Sequence, residues 1–184
     1  MIPVITLIGM PGVGKSTIGK LLADRLDFSF VDLDILIRQQ EGVGHSEVMK
    51  EKGEETLLKF EEDYALKLDF MAVVNKSAVR GLVFAPGGSI IYSEKVMEKL
   101  HSETTILFLD LPFLEIKKRL GNNVEHRGIV GLSKKSLEDI FKERLPMYRL
   151  AADHTINCVG LADEDVVEKI RVVLNQEWNR TILV

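Results

Sequence analysis

The sequence predicts an α/β fold in which helices cover both faces of a mostly parallel β-sheet. Strand and helix patterns alternate along the chain, a glycine-rich loop follows the first predicted strand, and 46% of the 184 residues are hydrophobic. Alternating strands and helices favour parallel pairing, because each crossover helix packs on a face of the sheet. A chain of this length and apolar content can bury one full core, so we expect a single domain over residues 1–184.

Five short apolar runs are predicted to be strands. They cover residues 4–8, 28–31, 81–85, 104–109 and 154–157. Apolar residues at helical spacing follow the first run from Ile18 to Leu26, and Glu54 to about Leu68 is a longer predicted helix. Further helices are expected near residues 35–40, 45–52, 93–100 and 112–120, from Ser133 or Ser136 to about Arg144 before Pro146, and from Val166 to Trp178. Gly121–Ser133 has three glycines and little periodicity, so it is predicted to be a loop.

The stretch Gly9–Thr17 fits the phosphate-binding loop, G-x-x-x-x-G-K-S/T. It lies between a predicted strand and a predicted helix, which is the context that this motif requires. Glycines let successive backbone N–H groups point at an anion, and the helix N-terminus adds partial positive charge. The alternative is a glycine-rich turn that binds nothing. We expect the phosphates to be bound by Gly12, Val13, Gly14, Lys15, Ser16 and Thr17.

Within this loop, the chemistry of the side chains indicates a nucleoside triphosphate with Mg²⁺. Lys15 is positioned to reach the outer phosphates, and the Ser16 hydroxyl to hold the metal ion.

Composition and charge exclude several other classes of protein. The formal net charge is −4 and no run of five basic residues occurs, which argues against nucleic-acid and membrane-surface partners. The single cysteine, Cys158, cannot form an internal disulfide. The histidines, His45, His101, His126 and His154, are scattered without metal-ligand spacing. With no targeting segment and no apolar run long enough to span a membrane, we expect a cytoplasmic monomer.

Polar residues follow the second and third predicted strands. Asp32 and Asp34 are two apart, so in extended backbone they would project to the same side. One carboxylate could then hold magnesium, and the other could accept the proton of a substrate hydroxyl. The alternative is that Asp34 only caps the following helix.

At this point the chain resembles the shikimate kinase family, within the nucleoside-monophosphate-kinase-like group. The resemblance is carried by the phosphate loop, F-x-D-x-D at Phe30–Asp34, and the glycine turn at 87–89. L-x-x-P-x-x-x-x-x-R-L from Leu109 to Leu120 and R-x-P-x-Y-x-x-x-A-D from Arg144 to Asp153 extend it. It implies a three-layer P-loop kinase fold with five parallel strands, a mobile lid at about 121–133 and an acceptor-binding region at about 33–61. It also implies transfer of the γ-phosphoryl group of ATP to a hydroxyl of shikimate.

The resemblance further implies a role for each matched residue. Lys15, Asp34 and Arg127 would be catalytic, and Ser16 and Asp32 would hold Mg²⁺. Arg119 would contact the adenine of ATP. The acceptor would be bound by Asp34, Gly87, Gly88 and Arg144.

The chain departs from the family pattern at three places in the acceptor half. Leu58 replaces an arginine that would pair with Glu61, and Ser89 replaces a glycine. Gly128 replaces a proline of the lid, and the stretch from Glu61 to Gly87 is several residues longer than usual. The acceptor could therefore be shikimate or another hydroxylated metabolite. A non-catalytic ATP-binding regulatory protein is a further alternative.

Overall fold

The structure, a computed structural model, describes residues 2–121, 124 and 127–182, with side chains through Trp178. Part of the predicted lid and His126 lie outside the described residues. Five parallel strands form one sheet in the order β2-β3-β1-β4-β5. They are β1 Val4–Ile8, β2 Ser29–Asp32, β3 Leu82–Ala85, β4 Thr105–Asp110 and β5 His154–Asn157. The predicted α/β fold with five parallel strands is therefore confirmed.

The central strands β1 and β3 are buried along their whole length and are apolar except for Thr6, because helices cover both of their faces. Every residue of β1 and β3 is buried. Since β1 lies between β3 and β4, the loop after β1 comes close to the ends of its neighbours. Ligands of such sheets bind at the carboxyl ends of the strands, so this arrangement positions the phosphate loop at the expected edge.

Nine α-helices connect and cover the strands within the described ranges. They are α1 Lys15–Leu26, α2 Leu33–Glu41, α3 His45–Lys52, α4 Glu54–Lys67, α5 Phe70–Ser77, α6 Glu94–Glu103, α7 Phe113–Leu120, α8 Leu137–Ala151 and α9 Asp163–Ile182. A short 3₁₀ turn, Ile90–Tyr92, follows the glycine turn. None of these helices is both long enough and apolar enough to cross a lipid bilayer.

Helix α5 was not predicted, and it lies in the stretch between Glu61 and Gly87. The Asp69 side chain caps it by accepting a hydrogen bond from the backbone N–H of Ala72. Phe70 and Val74 are buried, and the Phe70 ring lies 5.5 Å from that of Phe84. A helix this short has little periodicity of its own, so packing on the sheet stabilises it.

The predicted end of α8 before Pro146 is wrong, because the helix continues to Ala151. A proline inside a helix removes one backbone hydrogen bond. Tertiary contacts around it compensate. Tyr148 is buried, stacks on Phe108 at 5.3 Å and donates to the Gly88 carbonyl at 2.6 Å.

Candidate active site

A cavity of about 470 Å³ opens at the carboxyl ends of β1, β2 and β3. Of the residues predicted to form the site, all but Val13 line it; Val13 is buried beneath the loop. The structure therefore brings the predicted residues together, and their individual roles stay predictions. The predicted residues on its wall are Gly12, Gly14, Lys15, Ser16, Thr17, Asp32, Asp34, Gly87, Gly88, Arg119, Arg127 and Arg144.

The phosphate loop has the backbone that an anion cradle needs. Gly12 has a φ of +85° and Gly14, which precedes α1, a φ of +110°, both in the region that favours glycine. The Lys15 ammonium donates to the carbonyls of Gly9 at 2.9 Å and Met10 at 3.2 Å. Burial lowers the pKa of Lys15 to about 8, although the carboxylates of Asp34 and Asp32 oppose this shift. A phosphate would be a stronger partner for this ammonium than neutral carbonyls, so the loop fits a nucleotide.

Arg119 lies against the outside of the phosphate loop. Its Nη1 atom donates to the carbonyl of Val13 at 2.9 Å, and the side chain borders the cavity from the end of α7. Val13 thus takes part in this contact through its backbone carbonyl, and not through its side chain. The predicted contact between Arg119 and adenine stays a prediction.

The prediction that Asp32 and Asp34 share an extended segment is wrong, because α2 begins at Leu33. Asp32 is the residue that caps this helix: its Oδ1 atom accepts from the backbone N–H of Ile35 at 3.1 Å. Asp34 lies in the first helical turn, and its side chain is 55% exposed towards the open cavity. The other carboxylate oxygen of Asp32 is the one left for a contact with magnesium. Asp34 is accessible to an acceptor molecule.

Glu61 and the glycine turn form the back wall of the acceptor half. Glu61 is 2% exposed, and the Ser89 hydroxyl donates to its Oε2 atom at 2.6 Å. Glu61 lacks the arginine partner of the family pattern, but Ser89 supplies another hydrogen-bond partner. Burial raises the pKa of Glu61 to about 7, although the hydrogen bond from Ser89 lowers it. A Cβ atom on Gly87 would overlap Glu61 Oε1, so close packing requires glycine there.

Arg144 enters the same region from α8 and is almost fully buried. Its Nη2 atom donates to the carbonyl of Val130 at 2.9 Å, and its Nε to the Tyr92 hydroxyl at 3.1 Å. The guanidinium also lies over the Tyr92 ring, 4.9 Å from its centre. These contacts hold a fixed positive charge at the cavity wall, where an anionic acceptor could meet it.

The family described as "Shikimate kinase" matches residues 11–175 of the chain. The chain belongs to the shikimate kinase family. It is 31% identical to the shikimate kinase of Persephonella marina over 90% of this chain and 95% of that protein. It is also 31% identical to the shikimate kinase of Rhodococcus jostii over 92% of this chain and 96% of that protein. Among solved structures, "Shikimate kinase from Acinetobacter baumannii in complex with shikimate" superposes with a TM-score of 0.81 at 25% identity, covering 96% of this chain and 95% of that one.

Leu58, the clearest departure from the family pattern, does not line the main cavity. It lies instead on the wall of a neighbouring cavity of about 540 Å³, which shares Glu61 and Ser89 with the main one. The two departures, Leu58 and Ser89, thus meet at Glu61. Relative to the family pattern, the Glu61 carboxylate thus lacks the arginine that Leu58 replaces and gains the Ser89 hydroxyl as a donor.

The distal part of the predicted lid packs onto the acceptor-binding region. Ile129 and Val130 are buried, and Val130 packs with Val48 of α3 and Leu57 of α4. The backbone N–H of Gly131 donates to the carboxylate of Glu54. Arg127 is exposed and borders the cavity. Its predicted role at the phosphates stays a prediction, as does the mobility of the lid.

Sequence reasoning missed His45, which it dismissed as a scattered histidine. The residue begins α3, lines the cavity, and places Nδ1 at 3.5 Å from Asp34 Oδ1. The available signal was its position inside the predicted acceptor-binding region, directly after Gly44. Metal-ligand spacing was the wrong criterion, because the relevant neighbour lies on another helix.

Proposed function

We propose that the chain transfers the γ-phosphoryl group of ATP to a hydroxyl of shikimate, with Mg²⁺, as a cytoplasmic monomer. Membership of the shikimate kinase family supports this reaction. So does the similarity to an Acinetobacter baumannii structure whose description includes bound shikimate. The observation that carries the proposal is one cavity lined by Lys15 on the nucleotide side and by Asp34 and Arg144 on the acceptor side.

In the nucleotide half, the backbone of the phosphate loop and the Lys15 ammonium would hold the phosphates. Ser16 and Asp32 would hold Mg²⁺, which when bound neutralises charge on the phosphate oxygens. Arg119 would contact the adenine, and Arg127 would close over the phosphates from the lid. Excluding water in this way directs transfer to the acceptor and away from hydrolysis.

In the acceptor half, Asp34 would accept the hydroxyl proton and Arg144 would pair with the acceptor carboxylate. The backbone at Gly87 and Gly88 would lie against the acceptor ring. Like Asp34, Glu61 would repel an anionic acceptor when it is charged. Because burial raises its pKa to about 7, Glu61 is partly protonated near neutral pH, and its negative charge is reduced.

A different hydroxylated metabolite is the second candidate acceptor. The observation that favours it is the neighbouring cavity beside Leu58, Glu61 and Ser89, which offers room next to the acceptor position. An acceptor with an added substituent would have space there. Nucleotide binding without catalysis is the third reading, and any acceptor-dependent phosphoryl transfer would remove it.

The test is a coupled ADP-release assay with Mg·ATP, with and without millimolar shikimate. We expect release that depends on shikimate and is lost in Lys15→Ala. Nucleotide binding without shikimate-dependent release would overturn shikimate as the acceptor. A panel of other hydroxylated acids in the same assay would then separate a different acceptor from a non-catalytic protein.

A further inference from the structure

We infer that His45 is an acceptor-binding residue that selects hydroxylated acceptors by a hydrogen bond between Nδ1 and one acceptor hydroxyl. This inference rests on the proposed function and adds a specificity-determining residue to it. The observations that carry it are the burial of the imidazole, its two nitrogen environments and its position between Asp34 and the lid.

The imidazole is held in the cavity wall. His45 follows Gly44 at the start of α3, and the Glu47 side chain accepts from the Gly44 N–H at 2.8 Å, which fixes this helix end. The side chain of His45 is 10% exposed and lines the same cavity as Asp34 and Glu61. The ring is therefore positioned by the fold, not by solvent.

Neither ring nitrogen has a good hydrogen bond within the part of the chain that the structure describes. Nδ1 approaches Asp34 Oδ1 only to 3.5 Å, beyond the usual length of a hydrogen bond. Nε2 is buried and has no hydrogen-bond partner among the described residues. Because Nε2 is enclosed, a ligand group in the cavity can reach only Nδ1, which faces Asp34 and has no close hydrogen-bond partner among the described residues.

The ligand group that fits is a hydroxyl. A neutral imidazole offers one donor and one acceptor, and a hydroxyl can take either role. One ligand atom each from Asp34, His45 and Glu61 lies within 4.8 Å of the others. Adjacent hydroxyls on one small ring could therefore reach Asp34 and His45 together.

The same three side chains could also be read as a metal site, but the charges around them argue against it. The positive charges of Lys15 and Arg144 both act on Glu61, and that of Lys15 acts on Asp34 as well. Glu61 already accepts the Ser89 hydroxyl. Two fixed cations would repel a divalent ion, whereas a neutral hydroxyl meets no such repulsion.

Gly128, in the described part of the predicted lid, packs directly on His45. Gly128 has a φ of +59°, and a Cβ atom there would lie 2.8 Å from His45 Cβ and 3.0 Å from the backbone nitrogen of Ser46. Only glycine lets the lid backbone approach this closely. Proline, with its φ fixed near −65°, could not adopt this conformation. Gly128, which departs from the family pattern, is thus in direct contact with His45.

The test uses three substitutions at His45. Gln places an amide near the position of Nε2, Asn places one near Nδ1, and Val removes both polar atoms. In shikimate-dependent ADP release, we expect His45→Val and His45→Gln to raise the KM for the acceptor about tenfold. His45→Asn should recover most of this loss. The KM for ATP should change by less than about twofold, because His45 lies beside Asp34 in the acceptor half of the cavity. His101→Gln, at an exposed position on α6, is the matched control.

Shikimate analogues that each lack one ring hydroxyl identify the contact. We expect the penalty of His45→Val to disappear with one analogue and to persist with the others. An equal penalty for every analogue, or the same KM for the Gln and Asn variants, would overturn the inference and leave only a packing role. Thermal denaturation of each variant shows whether a lower activity reflects lost folding, and the Gln/Asn pair differs by a single methylene group.

Two further outcomes distinguish the remaining explanations. Tight Zn²⁺ binding that competes with shikimate and is lost in His45→Val would overturn the hydroxyl contact in favour of a metal site. If the parent chain binds Mg·ATP but releases no ADP with any hydroxylated acid, the proposed function fails, and the inference that rests on it fails too. Shikimate turnover that is unaffected by the His45 variants would overturn the inference alone.

Discussion

The two halves of the cavity differ in how closely they follow the shikimate kinase family. In the nucleotide half, the phosphate loop keeps its full motif, and Lys15 and Arg119 contact the loop backbone. In the acceptor half, Leu58, Ser89 and Gly128 stand where the resemblance to the family implies an arginine, a glycine and a proline. Ser89 donates to Glu61, and Gly128 packs on His45. Ser89 and Gly128 thus each make a close contact with a neighbouring residue. These contacts indicate an acceptor wall that differs from the family pattern but remains well packed.

The largest effect is expected in the unchanged half, from Lys15→Ala. This substitution removes the buried ammonium that would face the phosphates. We expect kcat/KM for ATP to fall about 100- to 1000-fold in the ADP-release assay. Lys20→Ala, at an exposed position of the same helix, is the control. A loss below about tenfold would contradict the role assigned to Lys15.

The next effect concerns the pH dependence that Glu61 gives the acceptor half. Burial raises the pKa of Glu61 from 4.5 to about 7, so the folded protein holds this proton more tightly than the unfolded chain. The free-energy cost of ionising the buried Glu61 carboxyl group is absent below about pH 4.5 and complete above about pH 7. The stability of the folded protein therefore falls with rising pH between these values. Relative to Glu61→Gln, we expect the parent to lose about 3 kcal/mol of unfolding free energy across this window.

Urea unfolding of both proteins from pH 4 to pH 8 measures this difference. The Gln variant keeps an oxygen that can accept from Ser89, so the comparison isolates the charge. Glu98→Gln, at an exposed position on α6, should leave the pH profile of the parent unchanged. If the unfolding free energies of the parent and of Glu61→Gln change with pH in parallel, then ionisation of Glu61 carries no free-energy cost.

A smaller effect is expected from Ser89→Ala, which tests whether the two departures at Glu61 compensate each other. Removing the hydroxyl leaves the buried carboxylate without this donor and should cost about 1–3 kcal/mol of unfolding free energy. Leu58 lies three residues before Glu61 on α4, on the same side of the helix. Leu58→Arg should therefore stabilise Ser89→Ala more than it stabilises the parent.

A double-mutant cycle by urea denaturation gives this coupling energy. Ser102→Ala combined with Leu58→Arg is the control, because Ser102 is an exposed residue of α6. Additive effects of Ser89→Ala and Leu58→Arg would mean that the serine does not replace the missing arginine.

The smallest effect is expected from Gly128→Ala at the contact between the lid and His45. Both Gly128 and Gly42 have positive φ angles, +59° and +74°, but only Gly128 has neighbours at the position of an added Cβ. Each alanine should cost about 1 kcal/mol of stability through backbone strain. Only Gly128→Ala should raise the KM for the acceptor, by about threefold or more. Equal KM values for the two variants would separate the lid contact from acceptor binding.

Local signals were sufficient for most of the fold. The order of strands and helices followed from apolar runs and periodicity, and Ser93 and Ser136 cap α6 and α8 as their positions suggested. Local signals failed where tertiary contacts outweigh them. Helix α8 passes through Pro146 because Tyr148 packs beyond it, and α5 forms because Phe70 and Val74 have a sheet to cover.

The sequence by itself determined the phosphate loop, the parallel sheet and the set of residues that meet in the cavity, because these follow from short motifs and their order along the chain. Only the tertiary structure decided which of those residues contact one another. Ser89 and Glu61 are 28 positions apart, and His45 meets both Asp34 and Gly128 across separate segments. Such pairings depend on where helices come to rest on the sheet, which no local pattern contains.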